Sequence, residues 1–391
     1  MASLQVQTGL DTLAADHFRF LQFRKTGLLT HAAACDSQLR STASLFQQAL
    51  GGSLVALFGP EHGFHGAAQD LEAVSSTLPK IFSLYGDSEA SLHPTAKQLQ
   101  GIEILVIDLV DIGSRYYTFQ ATMLYAMEAA FQEGIRVLVL DRPNPIGGNK
   151  VEGPMLLPEW SSFVGAHPIP TRHGMTLGEL AILYKEELEL EGDLEVVPCQ
   201  GWKREMDFAS TGLPWVMPSP NMPSFETALV YPGMCLLEGT RLSEGRGATR
   251  PFELFGAPFF DAETVARELN RLALPGALFR PAWFTPGFQK HASALCGGAQ
   301  LHVTQPELFQ PVRAGLAILQ SLRQLAGVNF QWRTEPYEFV TDRLAIDLLF
   351  GSDRERKALE VGVSHQDIAQ VWLEEEADFL EQRRPYLLYP E

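Results

Sequence analysis

Cysteine is scarce and scattered. Cys35, Cys199, Cys235 and Cys296 are the four in 391 residues, and none stands in a C-x-x-C pair. The chain therefore carries neither a zinc-knuckle nor a redox-dithiol signature, and no disulfide framework; buried, reduced thiols are expected. Positive charge is short as well. Against 47 Asp+Glu there are 30 Lys+Arg, a net charge of −17. Such a chain is repelled by phosphate backbones, so a nucleic acid is not an expected partner. A small ligand with one negative charge stays open, because nearby arginines outweigh a distant, screened field. No apolar run reaches the ~20 residues of a membrane span. The first residues, MASLQVQTGLDTLAADHFRF, lack the basic-then-apolar order of a secretory signal. A cytoplasmic protein with no membrane contact is the expectation, or an exported one if a leader was trimmed. The dinucleotide fingerprint, the P-loop and the G-x-S-x-G elbow are all missing, so no nucleotide cofactor and no serine nucleophile are signalled.

What is present is a globular composition. Hydrophobic residues make up 46% and charged residues 20%, enough to bury a sizeable core and to exclude disorder as the main state. The length suggests two or three domains. Residues 26–31 (TGLLTH), 54–58 (LVALF), 102–108 (IEILVID) and 136–141 (RVLVLD) are short apolar runs. They read as strands buried on both faces of a parallel sheet. Helical stretches between them, such as 41–50 and 120–132, predict a doubly wound α/β sheet. A boundary is expected near residues 150–165, dividing 1–158 from 159–391. Further on, Thr176 and Glu179 form a capping box that opens a helix. Residues 213–258 are rich in Pro and Gly, a long irregular stretch of the kind that carries function. The last part is expected to be helical, with some strand at NFQWR.

Three strand ends are loaded with polar residues. LVALF exits into GPEHGFHG, ILVID into LVDIGSRYYTF, and VLVLD into RPNPIGG. Ligands of open parallel sheets bind outside the carboxyl ends of strands, so these loops should gather at one site. In the first loop, Glu61 stands between Pro60 and His62 with glycines on both sides. A carboxyl at the mouth of an apolar sheet is partly desolvated, which suits a general acid. A turn whose Glu caps a helix is the competing reading. His62 and His65 could ligate a metal at i, i+3, but the loop holds no third ligand at suitable spacing, so ligand-contacting histidines are expected and no metal, with a metal that recruits Asp108 or Asp111 as the lesser reading. The second loop brings Asp111, Arg115, Tyr116 and Tyr117 together, either for sugar stacking and carboxylate binding or as a strand-end ion pair with core tyrosines. Asn144, Glu152, Arg172, His173 and Asn221 sit on other Gly/Pro-stiffened loops. Residues 237–253 (LEGTRLSEGRGATRPFE) hold Glu238, Glu244, Arg246, Arg250 and Glu253.

Taken in order, PEHGF, D-x-x-D-x-G-x-R-Y-Y-T, DRPNP-x-GG, EGP, RHGMT-x-GELA, PSPNMP, YPG, EGT-x-LSEGRG and PFE resemble the exo-β-N-acetylmuramidase family NamZ. KHAS-x-L-C-GG-x-x-LHVT and the closing RRPYLLY extend the likeness, so it spans residues 8–389. The resemblance implies a Rossmann-like N-terminal domain without a nucleotide, a smaller α/β C-terminal domain, and an active site in the cleft between them. It implies removal of a terminal, non-reducing, β-1,4-linked N-acetylmuramic acid (MurNAc) from peptidoglycan fragments during cell-wall turnover. The family's PEHG glutamate falls on Glu61. Glycoside cleavage usually needs a second carboxyl, for which Glu244 and Glu152 are the candidates with Asp111 behind them, unless the 2-acetamido group of the substrate replaces it. Muramic acid adds a lactyl carboxylate, which an arginine fork would select; Arg115, Arg246 and Arg250 are the candidates, then Arg172. His62, His65, Asp111, Tyr116, Tyr117, Asn144, His173 and Asn221 complete the expected substrate contacts. Two residues depart from the family pattern: His65 stands where Arg is usual, and Val110 where Gln is frequent. A non-catalytic binder of acidic sugars and a metal-dependent amidase or deacetylase using His62 and His65 are the competing functions.

Overall fold

The computed structural model describes residues 5–61 and 79–390. Its first layer is a parallel sheet. Five of its strands are β1 (Thr26–Thr30), β2 (Leu54–Gly59), β3 (Lys80–Ser83), β4 (Ile104–Asp108) and β5 (Arg136–Leu140). A hairpin of β6 (Glu152–Met155) and β7 (Pro170–Arg172) follows, and β8 (Leu194–Val197) then returns to the sheet. The order is β3-β2-β1-β4-β5-β8, with every pairing parallel.

The apolar runs explain why this layer is doubly covered. Neighbouring strand residues point to opposite faces. Leu28, Ile104, Val106, Leu138 and Leu140 pack on one side with Leu10, Leu13 and Phe46 from the helices Gly9–Ala15 and Thr42–Leu50. Leu29, Leu105, Ile107, Val137 and Val139 pack on the other with Met123, Met127 and Leu180 from the helices Phe119–Gln132 and Leu177–Glu187. Both faces are dry, so both positions of the alternation must be apolar. The capping box at Thr176 and Glu179 opens the second of these helices as expected. The strand order reverses between β1 and β4, which creates a crevice at the carboxyl edge.

The boundary expected at 158/159 falls inside this layer. β8 pairs with β5 from Val137↔Leu194 to Leu140↔Val197, so the sheet keeps recruiting chain well past residue 158. The inserted β6–β7 hairpin, with its Gly and Pro, looks like a linker in sequence but is not one.

The second part is built on an antiparallel sheet ordered β10-β11-β9, from β9 (Leu254–Ala257), β10 (Ala277–Phe284) and β11 (Cys296–Val303). Helices Phe225–Met234, Ala262–Arg271, Pro311–Ala326 and His365–Gln382 pack around it. The expected strand at NFQWR reduces to a single bridge between Thr240 and Trp332. The last long helix ties the parts together: Gly153 N donates to Glu376 Oε1 at 2.8 Å, and Met155 N to Glu375 Oε2 at 2.9 Å. The four cysteines are unpaired, with Cys35 half-buried and the rest buried. No helix among the described residues is long and apolar enough to cross a membrane.

Candidate active site

β2 ends at Gly59, and Pro60 carries the chain to Glu61 at the carboxyl edge. There Thr118 Oγ1 donates to Glu61 Oε2 at 2.7 Å. Thr118 is the N-cap of the helix Phe119–Gln132, yet its side chain makes no capping bond. Its hydroxyl is spent on Glu61 instead. The N-terminus of that helix is thereby tied to the Glu61 side chain.

Glu61 lines a small cavity between the two parts of the molecule. The parallel-sheet side contributes Tyr116, Tyr117 and Thr118, and the Pro-rich loop contributes Ser219 and Asn221. The opposite wall comes from the second part: Tyr231, Glu238, Arg246, Phe252, Tyr337 and Glu338. Tyr116 is fixed by donating its hydroxyl to Pro232 O. Burial pushes the phenols of Tyr116 and Tyr117 well up, so both remain neutral.

The charged groups of this wall are sharply differentiated. Arg246 Nη2 donates to Glu238 Oε1 at 2.7 Å, and Tyr337 OH donates to Glu238 Oε2 at 2.8 Å. Burial alone would raise the Glu238 carboxyl, but the Arg246 charge and these bonds reverse the direction and hold it low. Among the described residues, Glu338 has no such partner. It accepts one bond, from Tyr85 OH at 3.1 Å, and burial followed by the charge of Glu61 pushes its carboxyl up to about 7. Arg246 lies 5.3 Å over the Phe252 ring, a cation–π contact that fixes the guanidinium plane. Among the described residues, no group of three or more His, Cys, Asp or Glu could hold a metal ion.

Comparison with known proteins places this geometry. The family model described as exo-beta-N-acetylmuramidase NamZ, N-terminal, matches residues 26–226, and its C-terminal counterpart matches 229–389. The peptidoglycan beta-N-acetylmuramidase NamZ of Bacillus subtilis (strain 168) is 44% identical over 390 residues, covering 98% of this chain and 92% of the relative. The chain belongs to the NamZ family. Crystal structures of two DUF1343 family proteins from Bacteroides fragilis NCTC 9343 share the fold. One is 34% identical with a TM-score of 0.90 over 99% of this chain and 100% of that one; the other is 30% identical, with 0.75 over 99% of each.

Within this NamZ-family chain the structure sorts the expected site residues. Glu61, Tyr116, Tyr117, Asn221 and Arg246 meet at the cavity. Glu244 does not line it. It sits behind Arg246, 3.7 Å from Nε, and takes Lys290 Nζ at 2.8 Å, while the same ammonium donates to Leu237 O and Leu242 O. Its charge is committed to holding this loop. Glu152 lies in the β6–β7 hairpin, accepting from Arg313 N at 2.7 Å. Burial, opposed by Arg172 and Arg313, raises its carboxyl to about 7, but it too stands away from the cavity.

Several polar residues expected to contact substrate are bound to backbone instead. Arg115 is fully buried and donates to Pro154 O, Ile169 O and Leu349 O at 2.8–2.9 Å. Arg172 donates to Ile146 O. Asn144 is buried, giving Nδ2 to Met175 O and accepting from Ile146 N. His173 accepts from Met175 N, and burial among arginines pushes it down to about 3, so it is neutral. Asp111 accepts from Gly113 N at 2.7 Å, is raised to about 7 by burial, and lines the neighbouring switch-point crevice with Val110 and Trp215. Arg250 is half exposed, 3.3 Å from Ser224 Oγ, and outside the cavity lining. His62 and His65 lie outside the described residues. Glu238, Tyr337 and Glu338 are the additions. Glu238 stood inside the EGT-x-LSEGRG motif, where its signal was diluted among three charged neighbours; Glu338 stood in no motif at all.

Proposed function

We propose that this chain is an exo-acting β-N-acetylmuramidase that hydrolyses the terminal, non-reducing MurNAc from peptidoglycan fragments, with Glu61 at the reacting bond. The observation that carries the reading is the sharing of one cavity by Glu61 and Arg246. A carboxyl at the scissile bond handles protons or the developing positive charge at C1. A guanidinium nearby addresses the lactyl carboxylate that distinguishes muramic acid from glucosamine. Arg246 spends Nε and Nη2 on Glu238, which fixes the fork; among the described residues its other nitrogen makes no bond and faces a ligand in this reading. Tyr116 and Tyr117 supply flat walls for a sugar ring. The fold needs no nucleotide for this chemistry: water is the second substrate.

The test is product analysis on two sets of glycan fragments, one ending in MurNAc and one in N-acetylglucosamine at the non-reducing end. Free MurNAc, released one unit at a time from the first set only, is expected. Internal cleavage products, or equal release from both sets, would contradict exo action on muramic acid.

A further inference from the structure

We propose that Glu338 is the second catalytic carboxyl of this site and donates the proton taken up by the departing glycosidic oxygen. The inference rests on the hydrolase reading above.

Geometry is the first support. Glu338 and Glu61 line one cavity but come from different parts of the chain. Glu338 sits on a four-residue turn closed by Tyr337 N to Val340 O at 3.0 Å and Val340 N to Tyr337 O at 2.9 Å. Its two central residues, Glu338 and Phe339, have φ of 44° and 69°. Both are left-handed, the pattern of a type I′ turn, which Asn-Gly fills without strain. A side chain at either position is disfavoured, and such strain persists where the surroundings hold it. Here they do. The Phe339 ring packs edge-on to Tyr85 at 5.6 Å, and Tyr337 OH is bonded to Glu238. The turn thus projects Glu338 into the cavity at the cost of its own backbone comfort.

The chemistry of the surroundings is the second support. Glu61 from the end of β2, Tyr85 from the loop after β3, and Glu238 and Arg246 from the second part are the groups that act on Glu338. Two acids sharing a site resist joint ionisation, so one keeps its proton. Glu238 cannot be that one, since Arg246 and Tyr337 hold it charged. Among the described residues, Tyr85 OH bonds Oε2 of Glu338 and no bond falls on Oε1, the oxygen we assign to carry the proton. Burial and Glu61 keep that proton in place up to about pH 7.

In the reaction, the bond from C1 to the glycosidic oxygen breaks as the Glu338 proton moves to that oxygen, which leaves as a hydroxyl of the shortened fragment. Water adds to C1 and gives its proton to Glu61. Free MurNAc departs, one water is consumed, and the proton gained by Glu61 returns to Glu338 through solvent.

Leaving-group dependence separates this role from a structural one. Two substrates are compared with the full chain: MurNAc-β-1,4-N-acetylglucosamine, whose leaving oxygen needs a proton, and the 2,4-dinitrophenyl β-glycoside of MurNAc, whose phenolate does not. For Glu338→Gln we expect kcat on the disaccharide to fall by ~10²–10⁴-fold and on the aryl glycoside by less than ~10-fold. The decline of wild-type activity above about pH 7 should also vanish for the aryl glycoside in that variant. Glu338→Asp, which keeps an acid on the same turn, should recover part of the disaccharide activity. Equal losses on both substrates at an unchanged melting temperature, or full disaccharide activity in Glu338→Gln, would overturn the assignment. Absence of sugar release by the wild type from either substrate would instead sink the hydrolase reading itself.

Discussion

The two walls of the cavity use charge in opposite ways. On the parallel-sheet side, Arg115 is fully buried and gives its guanidinium to three carbonyls, two near the β6–β7 hairpin and one at Leu349 in the second part. It is a clasp between layers, with no donor pointed at a ligand. On the other wall, Arg246 is bonded to a carboxylate, retains about a quarter of its side-chain exposure, and lines the cavity. An arginine satisfied by backbone is committed to the fold. One paired to a single carboxylate oxygen is oriented but still available. Position separates Glu152, held by Arg313 N in the β6–β7 hairpin, from Glu61, which accepts from Thr118 Oγ1 at the cavity.

Breaking the clasp should have the largest energetic effect. Arg115→Met removes charge-assisted bonds and strands buried carbonyls, so unfolding free energy should drop by about 3–5 kcal/mol. Urea denaturation measures it, and the remaining folded fraction should keep its kcat. A variant that is stable but inactive would move Arg115 from the fold to the site.

Arg246→Met should do the reverse. KM for MurNAc substrates should rise by ~10–100-fold, equivalent to about 1.4–2.7 kcal/mol. The preference for MurNAc over N-acetylglucosamine aryl glycosides should narrow with it. Arg246→Lys, which keeps the charge but loses the fork, should recover only part. An unchanged preference in both variants would remove Arg246 from lactyl recognition.

The contrast also explains what was legible beforehand. The strands at 26–31, 54–58, 102–108 and 136–141 announced themselves because burial on two faces demands apolar side chains at every position. Glu61 could be singled out as a candidate, beside the competing reading of a helix-capping turn, because it stands among glycines at a strand exit. Arg115, Asn144, Arg172 and His173 were not separable from true ligands. A stiff loop rich in Pro and Gly needs polar side chains to satisfy its own backbone, and in one dimension those look the same as side chains awaiting substrate. Glu338 was invisible for another reason. It arrives 253 residues after the tyrosine that binds it, on a turn whose left-handed geometry its own residue types argue against. β8 hid the domain boundary in the same way: its pairing with β5 is a fact of topology, not of local pattern.

A third difference is expected in pH dependence. Asp111 titrates at about 7 in the folded chain, against an ordinary value of 3.8, because burial outweighs the bonds from Gly113 and Ile112. Its contribution to stability is complete below 3.8 and is lost as pH rises through about 7. Asp111→Asn should therefore flatten the decline in melting temperature over that window and stabilise the chain at its upper end. A slope identical to wild type would show that Asp111 titrates normally. The smallest effect belongs to Arg250, on the exposed rim 3.5 Å from Glu253. Arg250→Ala should change stability by less than about 0.5 kcal/mol and kcat/KM by less than ~2-fold. A larger kinetic loss would extend the substrate site beyond the cavity.

The most direct measurement is the rate at which free MurNAc appears from MurNAc-β-1,4-N-acetylglucosamine with the wild-type chain and with Glu61→Gln, each checked for an unchanged melting temperature. The account predicts sustained release by the wild type and a fall of at least ~10²-fold in kcat for the variant, with KM little altered. A folded Glu61→Gln protein that releases the sugar at the wild-type rate would contradict it.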